Sequence, residues 1–202
     1  MPITAAQVEE AATRWGLSTI AAPVANRLAA YGNLLLHWNT RLSLTAIRDE
    51  AELIERHLME GVFAAANHPE ASTALDFGSG TGVPGIPIAL CRPEIHVTLG
   101  ESQRKKAAFL QEALRALPLS ASVHASRAEN LAPGSFDAVW MRAVDKSASM
   151  LPVAAGLVAP AGALCLLGTS NPPIGPTLDS WQWKTLPLPG AKDRVLHIGR
   201  RP

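Results

Sequence analysis

ALDFGSGTGVPGIPIAL, residues 74–90, is an apolar run that breaks at a cluster of glycines and then turns apolar again. Asp76 stands just ahead of the break. A β-rich run that enters a glycine loop and leaves it as a helical run is the local pattern of a nucleotide- or nucleoside-binding turn. Two glycine registers fit. Gly78, Gly80 and Gly82 give G-x-G-x-G directly after the strand, whereas Gly80, Gly82 and Gly85 give the dinucleotide spacing G-x-G-x-x-G. In the second register Pro84 removes a backbone donor where a pyrophosphate needs one, and the Asp76 carboxylate would lie near a dianion.

A ligand carrying an ammonium and a sulfonium is favoured by that aspartate, and S-adenosylmethionine is such a ligand. Glu101 closes the next β-rich run, 23 residues after Gly78, where an acid can accept from both ribose hydroxyls. That contact suits NAD and S-adenosylmethionine alike.

Working outward, the chain from Thr73 alternates short β-rich runs with helical ones. TALDF, IHVTLGE, SASVHAS, FDAVWM and GALCLLG read as strands, with IPIALCR, QRKKAAFLQEALRAL and KSASMLPVAAGLVA as helices between them. This alternation predicts a parallel sheet covered on both faces by helices. WQWKTLPLP and RVLHIG follow with no helix between them, so they are expected to form an antiparallel pair joined through PGAKD. The first third is expected to be helical. Thr4 with Gln7 fits a capping box for a helix reaching about Trp15. STIAAPVANRLAAYGNLLLHWNT repeats Val24, Leu28, Tyr31, Leu35 and Trp38 at helical spacing, and DEAELIERHLMEGVFAAAN opens with the acids that a helix N-terminus favours. The division expected is a helical extension over 1–68 and an α/β domain over 69–202, packed as one globular unit.

With 202 residues the chain can bury a full core. No apolar stretch reaches the ~20 residues of a membrane span, and the acidic, amphipathic start lacks a signal-peptide core. Cys91 and Cys165 are isolated and read as two reduced thiols; a cytoplasmic protein without metal is expected. Net charge is +1, but from Trp140 onward there are seven Lys/Arg against three Asp/Glu. That asymmetry permits a local nucleic-acid face.

DFGSGTGVPGIPIALCRPEIHVTLGESQRKKAAFLQ resembles the cofactor region of the ribosomal RNA small-subunit methyltransferase G family, also called glucose-inhibited division protein B. HWNTRLSLTAIRDEAELIERHL is similar to that family's W-N-x-x-x-N-L-T…R-D…R-H stretch, and WMRAV to its S-R-A segment. The resemblance implies a Rossmann-like, seven-stranded class I methyltransferase sheet ending in an antiparallel strand pair. It also implies methyl transfer from S-adenosylmethionine to N7 of one guanine in 16S rRNA of the small ribosomal subunit. By matched motif, Gly78 and Val83 would line the methionine side, with Asp76 and Gly80 in the same loop. Ala128 and Glu129 would meet the adenine, and Arg142 would close the cofactor site or face the substrate. Arg41, Arg56 and His57 are the substrate-side candidates, Arg48 being a further arginine of that stretch.

Five positions depart from the family pattern: Ser43 for its Asn, Glu101 for its usual Asp, Glu60-Gly61 for its Asp-Ser, and Leu167 for a lysine. N7 of guanine carries an in-plane lone pair, so the implied reaction needs placement rather than a base, and no catalytic acid or base is assigned. His57 and Glu60 lie three apart and share a helix face, either at the site or as a solvated, helix-supporting pair. Asn171-Pro172-Pro173 reads as a plain loop, and Trp140, Trp181 and Trp183 as sheet packing. The alternatives are a ribosome-associated S-adenosylmethionine-binding protein without turnover, a methyltransferase of another substrate, and an NAD-dependent oxidoreductase.

Overall fold

A computed structural model of the chain describes residues 1–17, 20–142, 148–170, 174–175, 178–191 and 193–202. Asn171-Pro172-Pro173 and the end of WMRAV lie outside the described residues.

Short, nearly continuous apolar runs decide the central sheet. Strands β1 (Thr73–Phe77), β2 (His96–Gly100), β3 (Ala121–His124), β4 (Phe136–Arg142), β5 (Val158–Thr169), β6 (Gln182–Pro187) and β7 (Arg194–Arg200) lie in the order β3-β2-β1-β4-β5-β7-β6. Strands β1–β5 pair in parallel, and β7 runs antiparallel to both β5 and β6. The terminal pair is therefore antiparallel as its missing helix requires, but the second strand of the pair, β7, is the one inserted next to β5. Along β4, Ala138 and Trp140 face one core while Val139 and Met141 face the other, as a strand buried on both faces must. Trp140 is core, and Trp181 stacks on Trp183 with ring centroids 6.4 Å apart.

Helices α1 (Ala5–Arg14), α2 (Ala22–Leu42), α3 (Glu50–Leu53) and α4 (Glu60–Ala66) precede the sheet, with a π-helical segment, Ile54–Met59, joining α3 to α4. The Thr4 hydroxyl accepts from the Gln7 amide and the Gln7 side chain accepts from the Thr4 amide, so the capping box forms. Helix α2 begins at Ala22 rather than near Ser18, with Pro23 in its first turn, where a missing amide costs nothing. It ends at Ser43, whose φ of +47° is left-handed. Asn tolerates that conformation better than Ser. Helices α5 (Gly85–Cys91), α6 (Arg104–Ala116) and α7 (Leu151–Leu157) are the crossovers. Helix α7 stops before Val158, where β5 starts, four residues ahead of the GALCLLG run.

Residues from α1, α2, α4, α5 and α6 share one apolar cluster with a face of the sheet, and α7 covers the opposite face. Two departures from the family pattern are packing choices. Leu167 is fully buried in β5. Gly61 brings α4 against α5 so closely that a Cβ there would lie 2.4 Å from Pro87 Cγ. Gly61→Ala is therefore expected to destabilise the protein by about 1–3 kcal/mol, read as a lower urea midpoint at unchanged slope.

Candidate active site

The loop between β1 and α5 is shaped by contacts made beneath it. Asp76 Oδ2 accepts from the Gly85 amide at 3.1 Å, and the Ser79 hydroxyl donates to the Asp76 main-chain oxygen at 2.8 Å. A Cβ on Gly85 would meet Leu99 Cδ2 at 2.4 Å and Asp76 Oδ2 at 2.8 Å, so α5 can enter only with glycine there. From the far side of the chain, the Tyr31 hydroxyl donates to the Thr81 carbonyl at 2.6 Å, fastening α2 to the loop. Burial drives the Tyr31 phenol well above its usual range, with Asp76 adding to the effect.

Asp76 itself is buried, and desolvation pushes its carboxyl up to about 7 against the lowering effect of the Gly85 amide. A carboxyl with a raised folded-state pKa contributes stability that is complete below its unfolded value near 4 and is lost as pH rises through 7. Asn has the size of the neutral acid and keeps an acceptor for the Gly85 amide, so the parent is expected to gain stability relative to Asp76→Asn as pH falls from 7 to 4, measured by urea unfolding at both ends. His57 acts in the opposite sense on both proteins. Desolvation, then Arg142, holds it down to about 3, so its contribution is present above 6.5 and lost on acidification.

Glu101, just past β2, is buried and accepts from the Gly80 amide at 3.0 Å and from the Gln103 amide at 2.7 Å. Each oxygen keeps a lone pair for another donor. It borders a cavity of about 290 Å³ that also brings together Gly78, Ala128 and Glu129, with Arg127 and Met150 on its rim. A second cavity of about 190 Å³ is lined by Gly78, Gly80, Val83, His57 and Arg142. The two meet at Gly78, whose φ is +69° and whose Cβ, if present, would meet no atom within 4 Å. A side chain there would project into the junction. A third cavity of about 300 Å³ adjoins the second through Thr45, His57 and Arg142 and adds Arg56 and Arg194.

Seven of the eight residues expected around a cofactor line the first two cavities; Asp76 lines neither and acts through the loop it holds. Arg56 and His57 line the third, while Arg41 is exposed at the end of α2 and lines none of the three. Asn39, which sequence reading passed over, is buried. Its Nδ2 donates to the Ile47 carbonyl and its Oδ1 accepts from the Thr45 amide, both at 2.9 Å, which pins the loop forming the third cavity's wall.

His57 and Glu60 do share a face, but it is dry: both are buried. Arg142 Nη2 donates to Glu60 Oε2 at 3.1 Å and to the Arg56 carbonyl at 2.7 Å, and lies 3.3 Å from His57 Nδ1. Arg194 Nη2 donates to the same Glu60 oxygen at 2.8 Å, its Nε lies 2.8 Å from Oε1, and Arg56 Nε approaches Oε1 at 3.7 Å. One buried carboxylate thus faces three guanidinium groups. Because Arg142 can only donate, Nδ1 of the neutral His57 ring is the acceptor and Nε2 carries the proton. Among the described residues no group of three or more His, Cys, Asp or Glu is arranged to hold a metal, and both cysteines are free, burial pushing the Cys91 thiol up to about 11. No helix among the described residues is long and apolar enough to cross a membrane.

A family profile described as rRNA small subunit methyltransferase G matches residues 24–172, well over half of the chain. The chain belongs to that family. A Xanthomonas euvesicatoria member named ribosomal RNA small subunit methyltransferase G is 43% identical over 149 residues, covering 73% of this chain and 68% of that protein. A Xanthomonas oryzae member of the same name is 40% identical over 166 residues, covering 81% and 76%. Among solved structures, an S-adenosylmethionine-dependent methyltransferase from Aquifex aeolicus superposes with a TM-score of 0.52 at 17% identity, covering 81% of this chain and 93% of that one. An O-methyltransferase family protein from Burkholderia thailandensis superposes with a TM-score of 0.57 at 14% identity, covering 94% and 75%. At such identity these two establish the fold, the Rossmann-like class I methyltransferase sheet. Membership of the methyltransferase G family makes the chain an enzyme whose cofactor is S-adenosylmethionine, and sets the oxidoreductase reading aside.

Proposed function

We propose that this enzyme methylates N7 of one guanine in 16S rRNA of the small ribosomal subunit, as a cytoplasmic protein. The carrying observation is the junction at Gly78, where a nucleoside-sized cavity bordered by Glu101 meets a smaller one bordered by Arg142. In this reading Glu101 accepts from the ribose hydroxyls, Ala128 and Glu129 flank the adenine, and Gly78, Gly80 and Val83 pass the chain of the cofactor toward Arg142. Asp76 acts one layer below, by holding Gly85 and with it the loop. The division into a helical extension over 1–68 and a methyltransferase domain over 69–202 belongs to the same proposal. The extension supplies Thr45 and His57 to the cavity that the glycine loop of the domain lines, and Arg56 to the cavity beside it.

When bound, S-adenosylmethionine supplies an electrophilic methyl group. The protein's share would be placement: N7 of guanine carries its own lone pair, so no residue of the site would have to take a proton from it. Nothing in this chemistry calls for a base, and the neutral His57 and the donor-only Arg142 are suited to orienting an acceptor-rich base edge rather than to proton transfer. Gly61 and Leu167, two of the departures from the family pattern, are engaged in core packing and so give the reading without turnover no support.

The test is incubation with labelled S-adenosylmethionine and small subunits from a strain lacking its own enzyme, followed by mass mapping. One 7-methylguanosine in 16S rRNA is expected. Folded protein at saturating cofactor that transfers no methyl to these subunits would overturn the proposal.

A further inference from the structure

We propose that the third cavity is a phosphodiester subsite, in which Arg194 and Arg56 grip the backbone of the RNA strand that presents the target nucleotide. The inference rests on the rRNA reading above; it adds Arg194, which that reading leaves without a role, and gives the substrate-side candidate Arg56 a specific one.

Charge is the first argument. Arg56, Arg142 and Arg194 surround one buried carboxylate, Glu60, which lies behind the cavity wall, and the acid that lines the cavity, Glu52, reaches Arg56 only at 3.9 Å. The cluster keeps an uncompensated positive charge in a partly enclosed space, where an anion gains most. Hydrogen-bond supply is the second. A guanidinium has five N–H donors. Arg194 turns Nη2 and Nε toward Glu60, and among the described residues its Nη1 has no acceptor. The side-chain nitrogens of Arg56 reach acids only at 3.7 and 3.9 Å. Arg194 opens β7 and Arg56 lies in the π-helical segment, so their meeting is made by the fold and not by local sequence. The planar fork of arginine suits a phosphate's paired oxygens.

Position is the third argument, and it separates a phosphate from the cofactor's own carboxylate. Arg56 and Arg194 border neither cavity that contains Gly78. Their cavity touches the transfer site only through Thr45, His57 and Arg142. That is the arrangement expected when a base enters the junction and its backbone stays outside.

The test measures KM for unmodified small subunits as a function of monovalent salt, together with the S-adenosylmethionine Kd by calorimetry, for the full-length parent, Arg194→Gln, Arg194→Lys and Arg56→Gln. Each glutamine variant is expected to raise KM roughly 5- to 10-fold near 0.1 M salt, and to lower the log–log salt slope by about 0.7. The cofactor Kd is expected to stay within twofold, and Arg194→Lys to recover the slope. A weaker cofactor Kd, a loss confined to kcat, or a raised KM with an unchanged slope would each overturn the subsite. Should Arg194→Gln not fold, Arg56→Gln, altered at a half-exposed side chain, carries the same test. A parent that binds cofactor but methylates no subunit refutes the rRNA reading itself. A parent that methylates with both glutamine variants at parental KM refutes the subsite alone.

Discussion

Glu60→Ala is expected to lose about 3–5 kcal/mol of stability, the largest single-residue effect on folding that the site predicts. The Glu60 carboxylate is 1% exposed, and the Arg142 and Arg194 side chains it holds are 20% and 21% exposed. Removing it leaves two largely desolvated cations facing each other and Arg56 with only the exposed Glu52 at 3.9 Å. The residual exposure of the arginines lets them turn partly to solvent, which places the loss toward the lower end of that range. For a chain of this length the midpoint of thermal unfolding should fall by roughly 6–15 °C. Glu60→Gln preserves the volume and one acceptor while deleting the charge, and Glu60→Asp preserves the charge with a shorter reach. The expected order of stability is therefore parent, Asp, Gln, Ala. A Glu60→Ala protein within about 0.5 kcal/mol of the parent would show that the three arginines do not depend on this carboxylate.

Glu101→Ala is expected to weaken S-adenosylmethionine binding by about 100- to 1,000-fold while leaving the fold in place. In the proposed nucleoside site, two charge-assisted bonds to ribose hydroxyls, each contributing about 1.5 kcal/mol, the low end for such bonds, account for most of that loss. The rest comes from the loop, because the same carboxylate accepts from the amides of Gly80 and Gln103 and without it the glycine turn is no longer held in the binding shape. Calorimetric titration of the variant and the parent provides the measurement. Glu101→Asp, matching the acid more usual at this position, should retain most of the affinity. A less than threefold change in Glu101→Ala would remove the acid from the nucleoside site.

The strands of the parallel sheet were legible in the sequence because each is a short apolar run bounded by glycine or polar residues. TALDF corresponds to β1 residue for residue. The glycine loop and Glu101 were legible for a related reason: the constraint acts between neighbours along the chain, and a tight turn admits few residue types. The membership of His57 and Glu60 in one face was also visible from their spacing. Whether that face was wet or dry was not, since helical periodicity reports direction and not surroundings. Arg194 left no signal at all. It lies 134 residues from Glu60, and an arginine opening a strand near the chain's end is ordinary in composition and context. Asn39 differs: it stands in the W-N of the quoted stretch, but that it pins the loop through Thr45 and Ile47 is seen only in the folded chain.

The sequence by itself determined the α/β alternation, the glycine turn, the acid after the second strand and the family, all of which are written in residues close together along the chain. The tertiary structure decided that Asp76 works beneath the loop and that Gly61 and Leu167 are packing residues. It also decided that Glu60 gathers Arg56, Arg142 and Arg194 around one buried carboxylate. Those outcomes depend on which surfaces lose water when distant segments pack, and burial of a charge is a property of the assembled fold that no local pattern encodes.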